Sequence, residues 1–261
     1  MHDHGFDDAA WASPWRRRAV GDKVLLSVGL VLVALVTPAW PTSLLIVLVV
    51  MALMLGPGRL HPKMVVLSAL APATFLLIGG IPIAIELGDN PIGTVIASLG
   101  PINITKEGLL KAIDVAAHGV SGTMSLMLLA VTTPMVDLLA AMRRIGIPAP
   151  AVDISMLMYQ MIFGLAGTVA TIGEAQAARL GHSTWKRTIH SSSALMGTAF
   201  VRSIDSAMRK SEGLAGRGYV NDLTTLGVKL HHSPRFVAAS FLLIAVLLAI
   251  GLASNYVMAG G

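Results

Sequence analysis

The stretch from Phe236 to Met258 carries no charged side chain and is apolar for almost its whole length. About 20 such residues are enough for a helix to cross the hydrocarbon core of a bilayer, where every backbone N–H and C=O must be satisfied within the segment itself. A chain containing this run is constrained to a membrane fold. Four further apolar runs precede it, at about Val24 to Val36, Leu44 to Leu55, Met64 to Ile85 and Val120 to Leu139. The first two are short and separated by "TPAWPT", which predicts a helical hairpin turning at one membrane face. The third contains Pro72, Gly79, Gly80 and Pro82 and is expected to kink there, and the fourth contains Pro134. The Gly-, Pro- and Asn-rich stretch between them, "ELGDNPIGTVIASLGPINITKEG", reads as a connection.

Composition agrees. Of 261 residues, 54% are hydrophobic and 13% charged, about half the charge of an ordinary soluble domain, and mean hydropathy is +0.74. The net charge of +5 does not indicate nucleic acid, because the basic residues stand in short clusters between apolar runs and serve as topology signals. With the N-terminus in the cytoplasm, all of the 19 Lys and Arg residues except Lys106 and Lys111 fall inside, and the C-terminus falls outside after five spans. The chain has no Cys, which removes disulfides and thiolate metal sites. Its first residues, "MHDHGFDDAA", lack the apolar core of a signal peptide, so no cleavable leader is expected.

The expected architecture is all-α and polytopic, with about five transmembrane helices and two long cytoplasmic helices. Residues 1–150 hold helices one to four, 151–222 the cytoplasmic pair, and 223–261 the last span. A sixth span over 154–172 would carry Arg179, Lys186 and Arg187 outside, against the charge rule. The first cytoplasmic helix is expected to end near Gly181 through a glycine cap, and the second to start at a Ser/Thr cap and stop by Gly216 or Gly218.

Both of those helix ends carry one phrase. In "GEAQAARLGH" Glu174 stands five residues before Arg179, among Ala177, Ala178 and Gly181; in "SEGLAGRGYV" Glu212 stands five before Arg217, among Ala215, Gly216 and Gly218. A guanidinium at a helix C-terminus is favoured by the dipole. The flanking small residues also let another backbone approach closely, and a planar guanidinium pairs bidentately with a carboxylate. Two such knobs suit a two-fold partner.

Other side chains were weighed as ligands. His2, Asp3 and His4, with Asp7 and Asp8, could hold a transition metal, but in a short tail on the cytoplasmic side a metal role is disfavoured. His231 and His232 before the last span read as interfacial; His118, Asp114 and Asp137 sit at span ends, where structural roles are favoured. The 14 Met residues read as adaptable packing surface. No phosphate-binding G-x-x-x-x-G-K-[ST], H-E-x-x-H or G-x-S-x-G pattern is present, so no catalytic residue and no cofactor is assigned and energy must come from another polypeptide.

The stretches "LLAVTTPMVDLLAAMRRIGIP", "AARLGH" and "GLAGRGY", with "SPWRRRAVGDKVLL" near the start, resemble the transmembrane T component of energy-coupling factor transporters, and most closely the cobalt-type CbiQ family. The resemblance runs from about Ser13 through the last span. It implies a non-catalytic subunit of an ATP-driven importer of a transition-metal ion, cobalt first, in the bacterial inner membrane. Its implied partners are two ABC-type ATPases (CbiO-like) and a substrate-binding membrane S component (CbiM-like, with a small CbiN-like subunit), besides lipid. In that family each coupling helix ends in an Ala-Arg-Gly signature whose Arg enters a groove on one ATPase. Residue by residue this implies Ala178, Arg179 and Gly181 at one contact and Ala215, Gly216, Arg217 and Gly218 at the other, with Leu180 and Gly216 departing from the strict triplet. The competing reading is a permease holding its own site between its spans, for which an internal inverted repeat would speak; a T component serving nickel or a vitamin is the variant within the family.

Overall fold

The computed structural model describes residues 5–87, 95–99, 102–218 and 231–259. Residues 5–135 with 231–259 form one compact unit, and residues 136–218 a second.

In the first unit a short helix α1 (Gly5–Ala12) leads into a single 3-10 turn, Pro14–Arg17, where Ser13 Oγ accepts from Trp15 N at 3.3 Å and Pro14 occupies the first turn. Helix α2 (Val20–Val36) stops at Thr37 because Pro38 excludes helical geometry in the residue before it. Helix α3 (Ala39–Leu55) follows at once, so the expected hairpin is present, with Trp40 extended ahead of Pro41. Helix α4 (Pro62–Ala84) starts at an N-cap, His61, whose Nδ1 accepts from Lys63 N at 3.4 Å. Pro72 and Pro82 lie inside one helix, as is tolerated where neighbouring elements and local adjustments satisfy the freed carbonyls.

The connection after α4 differs from its sequence reading. It holds three short strands, β1 (Ile85–Leu87), β2 (Val95–Leu99) and β3 (Ile102–Thr105), in an antiparallel sheet of order β1-β3-β2. The β-branched residues of "VIASL" and "INIT" suit strands that pair their backbone groups this way. Helix α5 (Lys106–Thr132) then begins well before Val120, capped by Thr105, whose Oγ1 accepts from Gly108 N at 3.2 Å. It also ends before Pro134, so residues 135–139 do not extend the fourth span but open α6 (Met135–Arg144). The reason is again the residue before a proline: Thr133 is extended at φ −132°, ψ 109°.

Helix α5 is the hub of this unit, touching α1, α2, α3 and α4. Its buried face reads Ser121, Met124, Ser125, Leu128, Val131 and Thr132, one stripe at helical spacing. The hydroxyls on that stripe cost little, because Ser125 Oγ donates to Ser121 O at 2.7 Å and Thr132 Oγ1 to Leu128 O at 2.6 Å; Ser27 Oγ crosses from α2 to Ser125 O. Leu30, Val33, Ile46, Val50 and Met54 fill the space opposite, with Leu247 of α9 (Pro234–Ala259) closing the cluster. Gly251 lets α9 lie against Thr37 and Thr42, where a Cβ would overlap the Thr37 side chain. The outward faces are the most apolar: Phe75 and Leu242 are 76% and 68% exposed. That inversion of a soluble protein's pattern is what lipid requires.

The second unit contains α6, α7 (Ala149–Ala178) and α8 (Trp185–Ala215). Helices α7 and α8 pair as an antiparallel hairpin: Gln176 Nε2 donates to Ser191 O at 3.0 Å near the turn, Gly173 faces Leu195, and further along Met158, Met161 and Ile162 share a crevice with Ser206 and Lys210. Among the described residues four helices are long and apolar enough to cross a membrane, α4, α5, α7 and α9, and α3 is a shorter apolar helix. The protein is an all-α polytopic membrane protein.

Candidate functional site

The two repeated phrases are helix ends built on one backbone plan. At the end of α7, Arg179 N donates to Gln176 O at 3.1 Å, Leu180 N to Ala177 O at 3.0 Å and Gly181 N to Gln176 O at 2.8 Å, the Schellman pattern. At the end of α8, Gly216 N donates to Glu212 O at 2.9 Å, Arg217 N to Leu214 O at 3.1 Å and Gly218 N to Ala215 O at 3.0 Å. In register, Ala177, Ala178, Arg179 and Leu180 correspond to Ala215, Gly216, Arg217 and Gly218. The left-handed position is filled by Leu180 (φ 58°) in one and by Gly218 (φ 73°) in the other. The expected glycine cap at Gly181 is therefore displaced by one residue. Gly181 is a glycine for another reason: a Cβ there would stand 2.7 Å from Ser191 Oγ and 2.8 Å from Gln176 O. Ser191 Oγ in turn donates to Gly181 O at 3.0 Å, so the turn is riveted to α8. The Ser/Thr start of α8 holds only in position, since Thr184 makes no side-chain cap bond.

Ala178, Arg179, Ala215, Gly216, Arg217 and Gly218 are all exposed, and Gly181 is half-buried. Among the described residues neither guanidinium has a side-chain partner. The repeated Glu is not one: five residues along a helix place Glu174 and Arg179 about 140° apart around the axis, and likewise Glu212 and Arg217. The structure does not bring the two arginines together. Arg179 stands at the turn where α8 begins and Arg217 at its far end, so the 31 residues of α8 hold them about 45 Å apart at 1.5 Å per residue. The arrangement offers two separate cationic contacts, each on a turn that closes some of the last helical carbonyls and each with an exposed arginine side chain.

The remaining sequence candidates resolve into structure. His118 presents Nε2 to Thr37 O at 3.0 Å and Nδ1 to Asp114 O at 2.9 Å, so the ring pins α5 to the end of α2 and does not meet the Asp114 carboxylate. His232 Nδ1 is 2.7 Å from Asp22 Oδ1, and His231 exchanges backbone bonds with residues 17 and 19. Asp137 is half-buried in α6. Asp7 Oδ2 accepts from Trp11 Nε1 at 3.1 Å; His2 and His4 lie outside the described residues, as does the Asp8 side chain. Among the described residues no three His, Asp or Glu side chains gather as a metal site. A cavity of about 490 Å³ between α3, α4 and α5 is lined by groups such as Trp40, Leu44, Leu76 and Ile81, which offer an ion nothing to bind.

Lys23, counted in the sequence among the topology signals, also has a structural role: it is buried, with Nζ donating to Thr132 O at 3.0 Å. Because α5 stops at Thr132, that carbonyl has no N–H four residues on within the helix, and a cation at a helix C-terminus also meets the favourable end of the dipole. The neighbouring Asp22 is buried too, accepting from Ser233 N at 3.1 Å. The signal that could have found them is their place within the first helix rather than before it.

Residues 12–226 match the CbiQ family, described as a cobalt transport protein. The cobalt transport protein CbiQ of Rhodobacter capsulatus is 30% identical over 245 residues, covering 94% of this chain and 96% of that one. The CbiQ of Salmonella typhimurium is 26% identical over 236 residues, 87% of this chain and 96% of that one. A protein of Methanocorpusculum labreanum, named as a fused cobalt transport protein CbiMQ, is 27% identical over 247 residues, 94% of this chain and 41% of its own length. With most of its length inside the family and its helices built for lipid, the chain belongs to the CbiQ family and is a membrane component of cobalt transport.

Proposed function

We propose that this chain is the energy-coupling T subunit of an ATP-driven cobalt importer and does no chemistry itself. The observation that carries the reading is the pair of matched helix ends, each presenting an exposed arginine with no side-chain partner among the described residues, held a helix length apart. Two ATP-binding-cassette subunits would each receive one arginine. ATP-driven closure would shift one contact relative to the other, and the α7–α8 hairpin would carry that displacement to a substrate-binding membrane protein. The fused CbiMQ relative supports a CbiM-like partner, because a protein joined by gene fusion to a CbiQ-like part works beside it. In this arrangement residues 151–222 are the cytoplasmic coupling segment, with spans before and after, the N-terminus inside and the C-terminus outside a bacterial inner membrane.

Co-purification from native membrane tests this. A tagged chain is expected to bring down two ATPase subunits and a CbiM-like membrane protein, and to support uptake only together with them. A chain that moved cobalt alone in reconstituted vesicles would overturn the proposal in favour of a permease.

A further inference from the structure

We propose that Arg16, Arg17, Arg18 and Arg235 form a headgroup site for an anionic phospholipid at the end of the bundle where α2 and α9 enter the membrane. The sequence sets three arginines side by side at 16–18, and the fold adds the start of α9 to them. Ala19 N donates to His231 O at 3.1 Å, and His231 N to Arg17 O at 2.9 Å, which lays the start of α9 against the segment before α2. Arg18 then sits over the Phe236 ring, 4.4 Å from its centre, while Trp15 meets Phe236 edge to face at 5.2 Å. Arg235, next to Phe236 in the chain and exposed, is thereby brought to the same end of the bundle as the three arginines that precede Val20, although more than 200 residues of sequence separate them.

Among the described side chains the charge at this end is unbalanced. Two carboxylates on the same elements have described partners: Asp22 is held by His232 and Ser233, and Asp7 accepts from Trp11. None of the four arginines forms a salt bridge among the described residues, and Arg16 Nε is buried without a hydrogen-bond partner. Packing over aromatic rings orients the guanidinium planes, with Arg16 4.0 Å above the exposed ring of Trp11. Guanidinium groups of this kind bind phosphodiester oxygens bidentately, and Trp beside Arg at the mouth of a span is the composition of the headgroup layer. The exposed Phe241 and Leu242, about two turns into α9, offer apolar surface to the acyl chains below. A topology signal alone needs only positive charge, whereas here Arg16 and Arg18 are held in place by the rings.

The test uses the full chain in detergent, with phosphatidylglycerol and phosphatidylcholine as probes and native mass spectrometry and thermal unfolding as readouts. Wild type is expected to retain phosphatidylglycerol and unfold at higher temperature with it, while phosphatidylcholine at the same concentration and millimolar inorganic phosphate do neither. Arg17→Gln and Arg235→Gln, which leave the ring contacts intact, are each expected to weaken retention roughly fivefold, and together roughly 25-fold. Arg202→Gln in α8 is expected to change nothing. Equal retention of the two lipids by wild type, or displacement by inorganic phosphate, would overturn the proposal. Undiminished phosphatidylglycerol retention in a folded double variant would do the same. Should the double variant not fold, the wild-type comparison still decides.

Discussion

Arg179 caps α7 and Arg217 follows the cap Gly216 of α8, yet both make the same local turn: each backbone N–H is given to the carbonyl three residues back at 3.1 Å, and each is followed by a residue at positive φ. The arginine side chain is therefore launched from the same local frame twice, once at each end of α8. A solvated cap needs no such agreement, since the helix dipole acts on any cation in the last turn.

The left-handed step is the first thing to test. Leu180 adopts φ 58° at a cost of roughly 1 kcal/mol that glycine does not bear. Leu180→Gly, which copies the second tip, is expected to leave cobalt uptake intact and the fold no less stable. Gly218→Val places a β-branched residue where it is strained, and is expected to lower ATPase retention while the spans still insert. Equal behaviour of Gly218→Val and wild type would show that the backbone frame is irrelevant.

Membrane sidedness is accessible because the chain has no cysteine of its own. Leu180→Cys is a better reporter than a cysteine at Gly181, where a Cβ would be crowded by Ser191. Leu180→Cys is expected to be shielded from an impermeant thiol reagent in intact cells, and Lys106→Cys at the start of α5 to be labelled. External labelling at position 180 would mean that α7, which is long and apolar enough, crosses the bilayer.

The buried Lys23 anchors α2 to the broken end of α5. Lys23→Met keeps the aliphatic volume but leaves Thr132 O without that donor in the bundle, which costs about 1–3 kcal/mol. A lowered unfolding temperature in detergent is the expected result, with Lys23→Arg recovering part of it. No change in either variant would contradict the anchoring role.

His2, Asp3 and His4 were weighed as a metal site and lie outside the described residues. Their joint replacement by Ala is expected to leave uptake nearly intact at normal expression. Loss of most uptake would assign the tail a metal-handling role.

Much of this was legible in the sequence, for reasons that differ by element. The apolar runs of α2, α3, α4 and α9 were readable because lipid demands composition along the whole segment. Their ends were readable where Pro38, Pro41 and Pro62 stand, because proline constrains the backbone locally. The start of α5 was not, since Lys106, Lys111 and Asp114 interrupt the apolar pattern although the helix is continuous. The strands around 85–105 were hidden by Gly, Pro and Asn, whose turn signals outweigh short β-branched runs. At the tips the arginines and small residues were visible. The αL position was not, because leucine rarely takes it and only the neighbouring Ser191 explains why glycine stands one residue later. Lys23 and its carbonyl are 109 residues apart, and no local rule connects them.

The central claim is that Arg179 and Arg217 anchor the ATPases, and charge reversal at both tests it most directly. Both side chains are exposed at helix ends, so Arg179→Glu/Arg217→Glu is expected to fold and insert normally. At a packed contact each reversal replaces a bidentate attraction with repulsion, at a cost on the order of 2 to 5 kcal/mol, or roughly 30-fold to several thousand-fold in affinity. Each single variant is expected to keep part of its ATPase through the other tip, because two tethered contacts act together, and the double variant to lose both ATPases and cobalt uptake. Full ATPase retention with normal uptake in the double variant would contradict the account.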